Sequence, residues 1–113
     1  MDNKITYDEF KKVEIRVGEI LVVEKVEGSE KLLKLSVDFN EESGPRQIVS
    51  GIQKYFPDDQ VLVGRKCMFV TNLEPRTLMG LVSNGMLFAV GGGDNPFSIL
   101  EVDKNIPAGT LAS

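Results

Sequence analysis

The feature that most limits the fold is a strict alternation between Val13 and Gly18: Val13, Ile15 and Val17 are apolar, whereas Glu14, Arg16 and Gly18 are not. A period of two sends alternate side chains to opposite faces of an extended chain, so the segment reads as a half-buried strand. The unbroken apolar run Ile20-Leu21-Val22-Val23 follows directly. A glycine between two such stretches predicts a bulge or sharp coil at Gly18. A long first strand bent at one point is what a small closed barrel needs at its corner.

The rest of the chain repeats the strand signal in short pieces. Glu27-Gly28-Ser29 breaks the first strand, and Leu33, Leu35 and Val37 then alternate with Lys34, Ser36 and Asp38 to give a second. Asn40 to Pro45 reads as a turn, and Gln47 to Ile52 as a third strand. The pattern loosens between Lys54 and Lys66, where Tyr55-Phe56-Pro57-Asp58-Asp59 suggests a turn and a short helix capped by aspartate. Cys67 to Thr71 and Met86 to Val90 supply a fourth and a fifth strand, and Gly91 to Pro96 reads as a loop. The expectation is an all-β chain: a five-stranded barrel of the OB plan, with a short helix between strands 3 and 4. Residues 1–6 read as a flexible arm within a polar stretch that runs to residue 9. Residues 95–113 form a C-terminal extension with enough apolar content to serve as a dimer element.

A length of 113 residues fits one domain over residues 1–113. The longest apolar run is far too short to span a bilayer, and Met1-Asp2-Asn3-Lys4 lacks the apolar core of an export signal. A lone cysteine, Cys67, cannot close an internal disulfide, which fits a reducing cytoplasm; its apolar surroundings suggest a buried structural thiol. The chain has no histidine, which removes Ser-His triads and histidine-containing metal sites. The Gly91–Gly93 run lacks the Lys-Ser/Thr of a phosphate-binding loop. No metal-ligand spacing is visible, so neither cofactor nor metal is expected, and catalysis by this chain alone is not.

A formal net charge of −4 argues at first against a nucleic-acid partner. Its distribution softens the objection. Residues 44–80 hold five Lys/Arg against three Asp/Glu, a local +2, while the segments on either side are acidic. A small basic patch is therefore expected in the middle of the chain. The stretch Asn72-Leu73-Glu74-Pro75-Arg76-Thr77-Leu78-Met79-Gly80, followed by Ser83-Asn84-Gly85-Met86, lies next to it. A loop stiffened by Pro75 brings Asn72, Arg76 and Ser83 to one rim. Arg76 offers a planar fork suited to phosphate, Asn72 and Ser83 offer short polar groups for ribose hydroxyls or base edges, and Met86 a polarizable surface for a base or ribose. The bland alternative is a polar loop followed by a core methionine.

These stretches resemble the tRNA-binding domain family found at the C-terminus of bacterial methionyl-tRNA synthetases, as a free-standing tRNA-binding protein and in the endothelial monocyte-activating polypeptide group. The resemblance is carried by Phe10 to Gly18, Ser29-Glu30-Lys31-Leu32, Pro45 to Ile52, Leu62 to Lys66, Asn72 to Arg76, Met79 to Met86 and the closing Ile106 to Thr110. It implies an OB barrel that recognises tRNA by shape and backbone, a homodimer built with the C-terminal strands, and a methionyl-tRNA synthetase catalytic chain as a partner. Carried onto this chain, it implies RNA contacts at Lys31, Arg46, Ser50, Asn72, Arg76, Ser83, Asn84 and Met86. Structural alternatives stand beside three of these: Lys31 as a solvated strand start, Arg46 paired with Glu41 or Glu42, and Ser50 serving the barrel backbone. Many members carry a further basic residue near Thr77 or Met79; this chain has none, which implies weaker binding. A related branch resembles peptide-binding export chaperones, for which an apolar groove of Phe69, Met79 and Phe88 would be the signature.

Overall fold

The computed structural model describes residues 3–113; Met1 and Asp2 lie outside the described residues. The polar stretch at the N-terminus is not an arm throughout. Tyr7–Phe10 forms one helical turn, α1, held by a reciprocal cap in which the Thr6 hydroxyl accepts from the Glu9 amide and Glu9 accepts from the Thr6 amide.

Strands follow in the order β1 (Ile15–Lys25), β2 (Leu33–Asp38), β3 (Arg46–Ser50), β4 (Lys66–Val70), β5 (Arg76–Leu78), β6 (Leu81–Ser83), β7 (Met86–Leu87), β8 (Ala89–Gly92) and β9 (Asn95–Ile99). Five of them make one antiparallel sheet in the order β3-β2-β1-β4-β7, curled into a nearly closed OB-type barrel. The gap between β3 and β7 is bridged by Asn84, whose amide donates to the Gln47 carbonyl at 2.8 Å. Ile20, Leu33, Leu35, Val37, Ile48, Leu62, Cys67 and Phe69 fill the interior with essentially no exposure. The ring of Phe39 meets Phe69 edge to face at 5.3 Å.

The first strand bends elsewhere than its glycine suggests. The register of β1 against β2 slips between Ile20 and Val22, so the bulge falls at Leu21. This explains the unbroken apolar run: Ile20 and Val23 point inward, while Leu21 and Val22 both face solvent. Gly18 serves another purpose. A Cβ there would stand 2.5 Å from a Val37 methyl, 2.6 Å from the Phe39 ring and 2.9 Å from the Phe69 ring. The position is glycine because three core side chains converge on it.

The insert between β3 and β4 is helical as expected, in the form of two short 3-10 turns, Gln53–Tyr55 and Asp59–Leu62. Three further expectations are corrected. The aspartate cap is not formed, since Asp58 makes no capping bond with its side chain. The fifth strand is interrupted at Phe88: β7 closes the barrel, and β8 leaves it to pair with β9. The glycine run is thus part of a hairpin, held down where Phe97 stacks on Tyr55 at 3.9 Å and the Gly93 amide donates to the Tyr55 hydroxyl at 2.9 Å. The segment read as one loop after β4 also contains a hairpin. Met79 (φ 49°) and Gly80 (φ 79°) form the tight turn that pairs β5 with β6.

The C-terminal tail is zipped onto its own barrel. Val17 donates to the Thr110 carbonyl at 2.9 Å, Gly109 to the Val17 carbonyl at 2.7 Å and Ala112 to the Ile15 carbonyl at 2.8 Å. The Lys66 ammonium holds the preceding turn through the Lys104 and Ile106 carbonyls. Cys67 is buried within the barrel, where desolvation, reinforced by Glu101, pushes its thiol up to about 12, so it is inert as a nucleophile. Among the described residues no helix is long and apolar enough to cross a membrane.

Candidate nucleic-acid interface

The hairpin β5–β6 lies alongside β3, and its attachment decides which of the candidate residues are free. Ser83 pairs across the hairpin with Arg76, but its side chain turns into the protein. The Ser83 hydroxyl accepts from the Val49 amide at 2.9 Å and donates to the Gly85 carbonyl at 3.2 Å. Gln47 adds a bond from its side-chain amide to the Val82 carbonyl at 2.9 Å. These bonds splice the hairpin onto the open edge of β3.

Arg46 is committed in the same way. Its Nε and Nη2 donate to the two carboxylate oxygens of Glu41 at 2.8 and 2.7 Å, and Nη1 donates to the Thr71 carbonyl at 2.7 Å and, more weakly, to the Asn84 carbonyl at 3.4 Å. The guanidinium lies 5.3 Å from the Phe39 ring centre. Of the two pairings open to it from sequence, Arg46 takes Glu41, and those hydrogen bonds hold the Glu41 carboxyl below its usual range. Asn72 likewise works inside the chain: its carbonyl accepts from the Glu14 amide at 2.7 Å and its amide donates to the Lys12 carbonyl at 2.6 Å. Beside it, the Glu14 carboxyl is lowered by hydrogen bonds from Arg16 and then from the Thr71 hydroxyl.

Four candidates line one cleft. Ser50, Arg76, Ser83 and Met86 surround a space of about 70 Å³ together with Leu73, Glu74 and Leu78. Arg76 and Met86 are exposed, and Ser50 is half-buried at the end of β3. Among the described residues Arg76 forms no ion pair. Asn84 is at the barrel seam rather than in the cleft. Lys31 is exposed on the loop between β1 and β2, which Gln53 fastens to the end of β3 by bonds to the Lys31 and Leu32 carbonyls. It therefore sits at the same end of the barrel as Ser50, outside the cleft.

The cleft also contains a residue that motif reading did not select. Glu74 lies just before β5 and lines the space with Arg76 and Leu78 of that strand. Its place between Asn72 and Arg76 in the sequence was the available signal. The apolar groove expected for a peptide binder is not formed by the side chains proposed for it: Phe69 is fully buried, and Met79 stands 58 % exposed at the hairpin tip.

A nearly closed five-stranded barrel, with a hairpin and a polar-edged cleft at its seam, defines the class of protein: an OB-type domain, an architecture used to bind oligonucleotides and oligosaccharides. Within that class the sequence is specific. Residues 15–111 match the family model described as "Putative tRNA binding domain", and the chain belongs to that family. It is 47 % identical over 109 residues to methionine–tRNA ligase of Lactococcus lactis subsp. lactis, matching 96 % of this chain but 16 % of that protein. The chain thus spans about one sixth of the curated relatives it matches. Among solved structures, a MetRS related protein from Pyrococcus horikoshii superposes with a TM-score of 0.89 at 34 % identity over the whole of both chains. The CsaA chaperone protein from Picrophilus torridus superposes with a TM-score of 0.84 at 26 % identity, over 97 % of this chain and 100 % of that one.

Proposed function

We propose that this chain is a non-catalytic tRNA-binding module that reads the fold and backbone of tRNA through the cleft at the seam between the barrel and the β5–β6 hairpin. The observation that carries the reading is Arg76, an exposed guanidinium without an internal ion-pair partner among the described residues, in a cleft shared with Ser50 and Met86. In this reading Arg76 takes a phosphate, Ser50 a ribose hydroxyl and Met86 the apolar face of a sugar or base, with Lys31 adding charge from the neighbouring loop. Arg46, Asn72, Ser83 and Asn84 act one step back, by fixing the seam and the hairpin that carry Arg76.

Two apolar ends meet on another side of the molecule. Tyr7, Phe10, Val13, Ile15 and Leu111 line a groove of about 500 Å³, with Tyr7 73 % and Leu111 54 % exposed. An exposed apolar surface of this kind suits a protein contact, and we assign it to a homodimer that includes the C-terminal extension. Two joined sites raise affinity for one tRNA spanning both, where a single domain with only a small basic patch binds at roughly micromolar strength or worse. The similarity to methionine–tRNA ligases favours a synthetase catalytic chain as partner, in the cytoplasm, with no cofactor or metal.

The test is an electrophoretic shift of total tRNA across a salt series, with light scattering for mass and an unfolded peptide titrated in parallel. Saturable tRNA binding that weakens with salt, by a species of twice the chain mass, is expected. Peptide binding without tRNA binding would transfer the function to the chaperone class.

A further inference from the structure

A site that received only phosphate would have no use for a carboxylate, yet Glu74 lines the cleft two residues before Arg76. Among the described residues neither side chain pairs with the other or with any other charged group. Leu73, Leu78 and Met86 give the remaining walls an apolar character, and the space of about 70 Å³ admits the edge of one base rather than a whole nucleotide. The cleft therefore combines a fork for an anion, apolar walls for a ring and a pair of acceptor oxygens. Bases differ in what they offer to two acceptors. Guanine presents N1–H and the N2 amino group side by side, two donors matching two carboxylate oxygens. Adenine and cytosine each place a ring acceptor beside their amino donor, and uracil flanks its one N–H with two carbonyls, so each of these turns a lone pair toward the carboxylate.

Resting on the tRNA-binding reading, we infer that Glu74 makes the cleft selective for an unpaired guanine, held by its Watson–Crick edge on the Glu74 carboxylate while Arg76 binds an adjoining phosphate. Single-stranded, splayed bases are the part of a folded RNA whose edges a protein can reach. The selectivity adds a base-specific contact to a domain that otherwise reads shape.

The experiment titrates labelled uridine pentamers carrying one central guanosine, inosine, adenosine, cytidine or uridine against the wild-type chain and Glu74→Gln, by fluorescence anisotropy at low salt, with total tRNA as control. The guanosine pentamer should bind about tenfold more tightly than the adenosine, cytidine and uridine pentamers, the magnitude of one bidentate base contact. Inosine, which lacks the N2 amino group, should fall between. Glu74→Gln should abolish the preference and leave the salt dependence unchanged. Equal binding of all pentamers by wild type, or a uniform tightening in Glu74→Gln, would overturn the inference and mark Glu74 as a charge that merely repels phosphate. In either case the tRNA control reads separately: tRNA binding without base preference removes the guanine contact alone, whereas no tRNA binding removes the larger reading with it.

Discussion

Arg46 and Arg76 are both arginines near the β3–hairpin seam, and truncating each should give opposite results. In Arg46→Ala the Thr71 carbonyl, on a residue only 4 % exposed, loses a 2.7 Å charged donor. An orphaned buried carbonyl costs about 1–3 kcal/mol. The bidentate pair with Glu41 is also lost; with side chains 16 % and 30 % exposed it is partly screened, which reduces its share to about 1 kcal/mol. The stacked contact with Phe39 adds roughly 0.5 kcal/mol. The total is about 2.5–4.5 kcal/mol, and for a chain of this length a kilocalorie moves Tm by about 4 °C, so Tm should fall by roughly 10–18 °C. Arg76→Ala removes an exposed side chain with no internal ion pair and should hold Tm within about 2 °C. Affinity for tRNA should reverse the order. Arg76→Ala should lose about 1–3 kcal/mol of binding, while Arg46→Ala, assayed at a temperature where it remains folded, should lose less than Arg76→Ala, because it acts on tRNA only through the seam it holds. Differential scanning calorimetry and filter binding on the same preparations decide the matter. If Arg46→Ala melted like wild type and failed to bind tRNA, the division between clamp and contact would be wrong.

Gly18→Ala should destabilise by about 3 kcal/mol or more, because its methyl would meet Val37, Phe39 and Phe69 at once; chemical denaturation measures it, and a loss below about 1 kcal/mol would show the core to be looser than described. Ser83→Ala should cost about 1–2 kcal/mol and raise amide exchange at Val49, whose hydrogen bond it removes; unchanged exchange there would refute the splice. The carboxyls of Glu14 and Glu41 titrate below their ordinary value of about 4.5 in the folded chain, so their stabilisation is complete above that pH and is lost as pH falls through the depressed values. Tm should therefore decline below about pH 4.5, and Glu41→Gln should flatten the decline.

The strands that build the barrel were legible because each buries one face, and burial on one face writes a period of two into the sequence. Leu33, Leu35 and Val37 show it plainly. What was not legible depends on contacts between distant residues. The bulge belongs to Leu21 rather than Gly18 because register is set by pairing with β2, which the local pattern of β1 does not contain. The hairpin at Met79-Gly80 lacks the usual Asn-Gly or Asp-Gly signal, with methionine accepting a left-handed conformation. The β8–β9 hairpin is glycine-rich and weak as a strand, and is held by the stack of Phe97 on Tyr55, residues 42 positions apart in their numbering. The candidate site divides along the same line. Residue type and motif order selected Arg76, Ser50 and Met86, and the cleft brings them together. The same reasoning could not see that Ser83 and Arg46 spend their polar groups within the chain, since their partners at Val49, Glu41 and Thr71 are fixed only by the closed barrel.

The central claim is that tRNA meets this chain at the seam cleft. Amide chemical-shift mapping during titration with tRNA tests it most directly. Perturbations should concentrate at Ser50, Glu74 to Leu78 and Gly85 to Met86, extend to Lys31, and leave the groove of Tyr7, Phe10 and Leu111 quiet. Shifts confined to that groove, or spread evenly over the barrel, would contradict it.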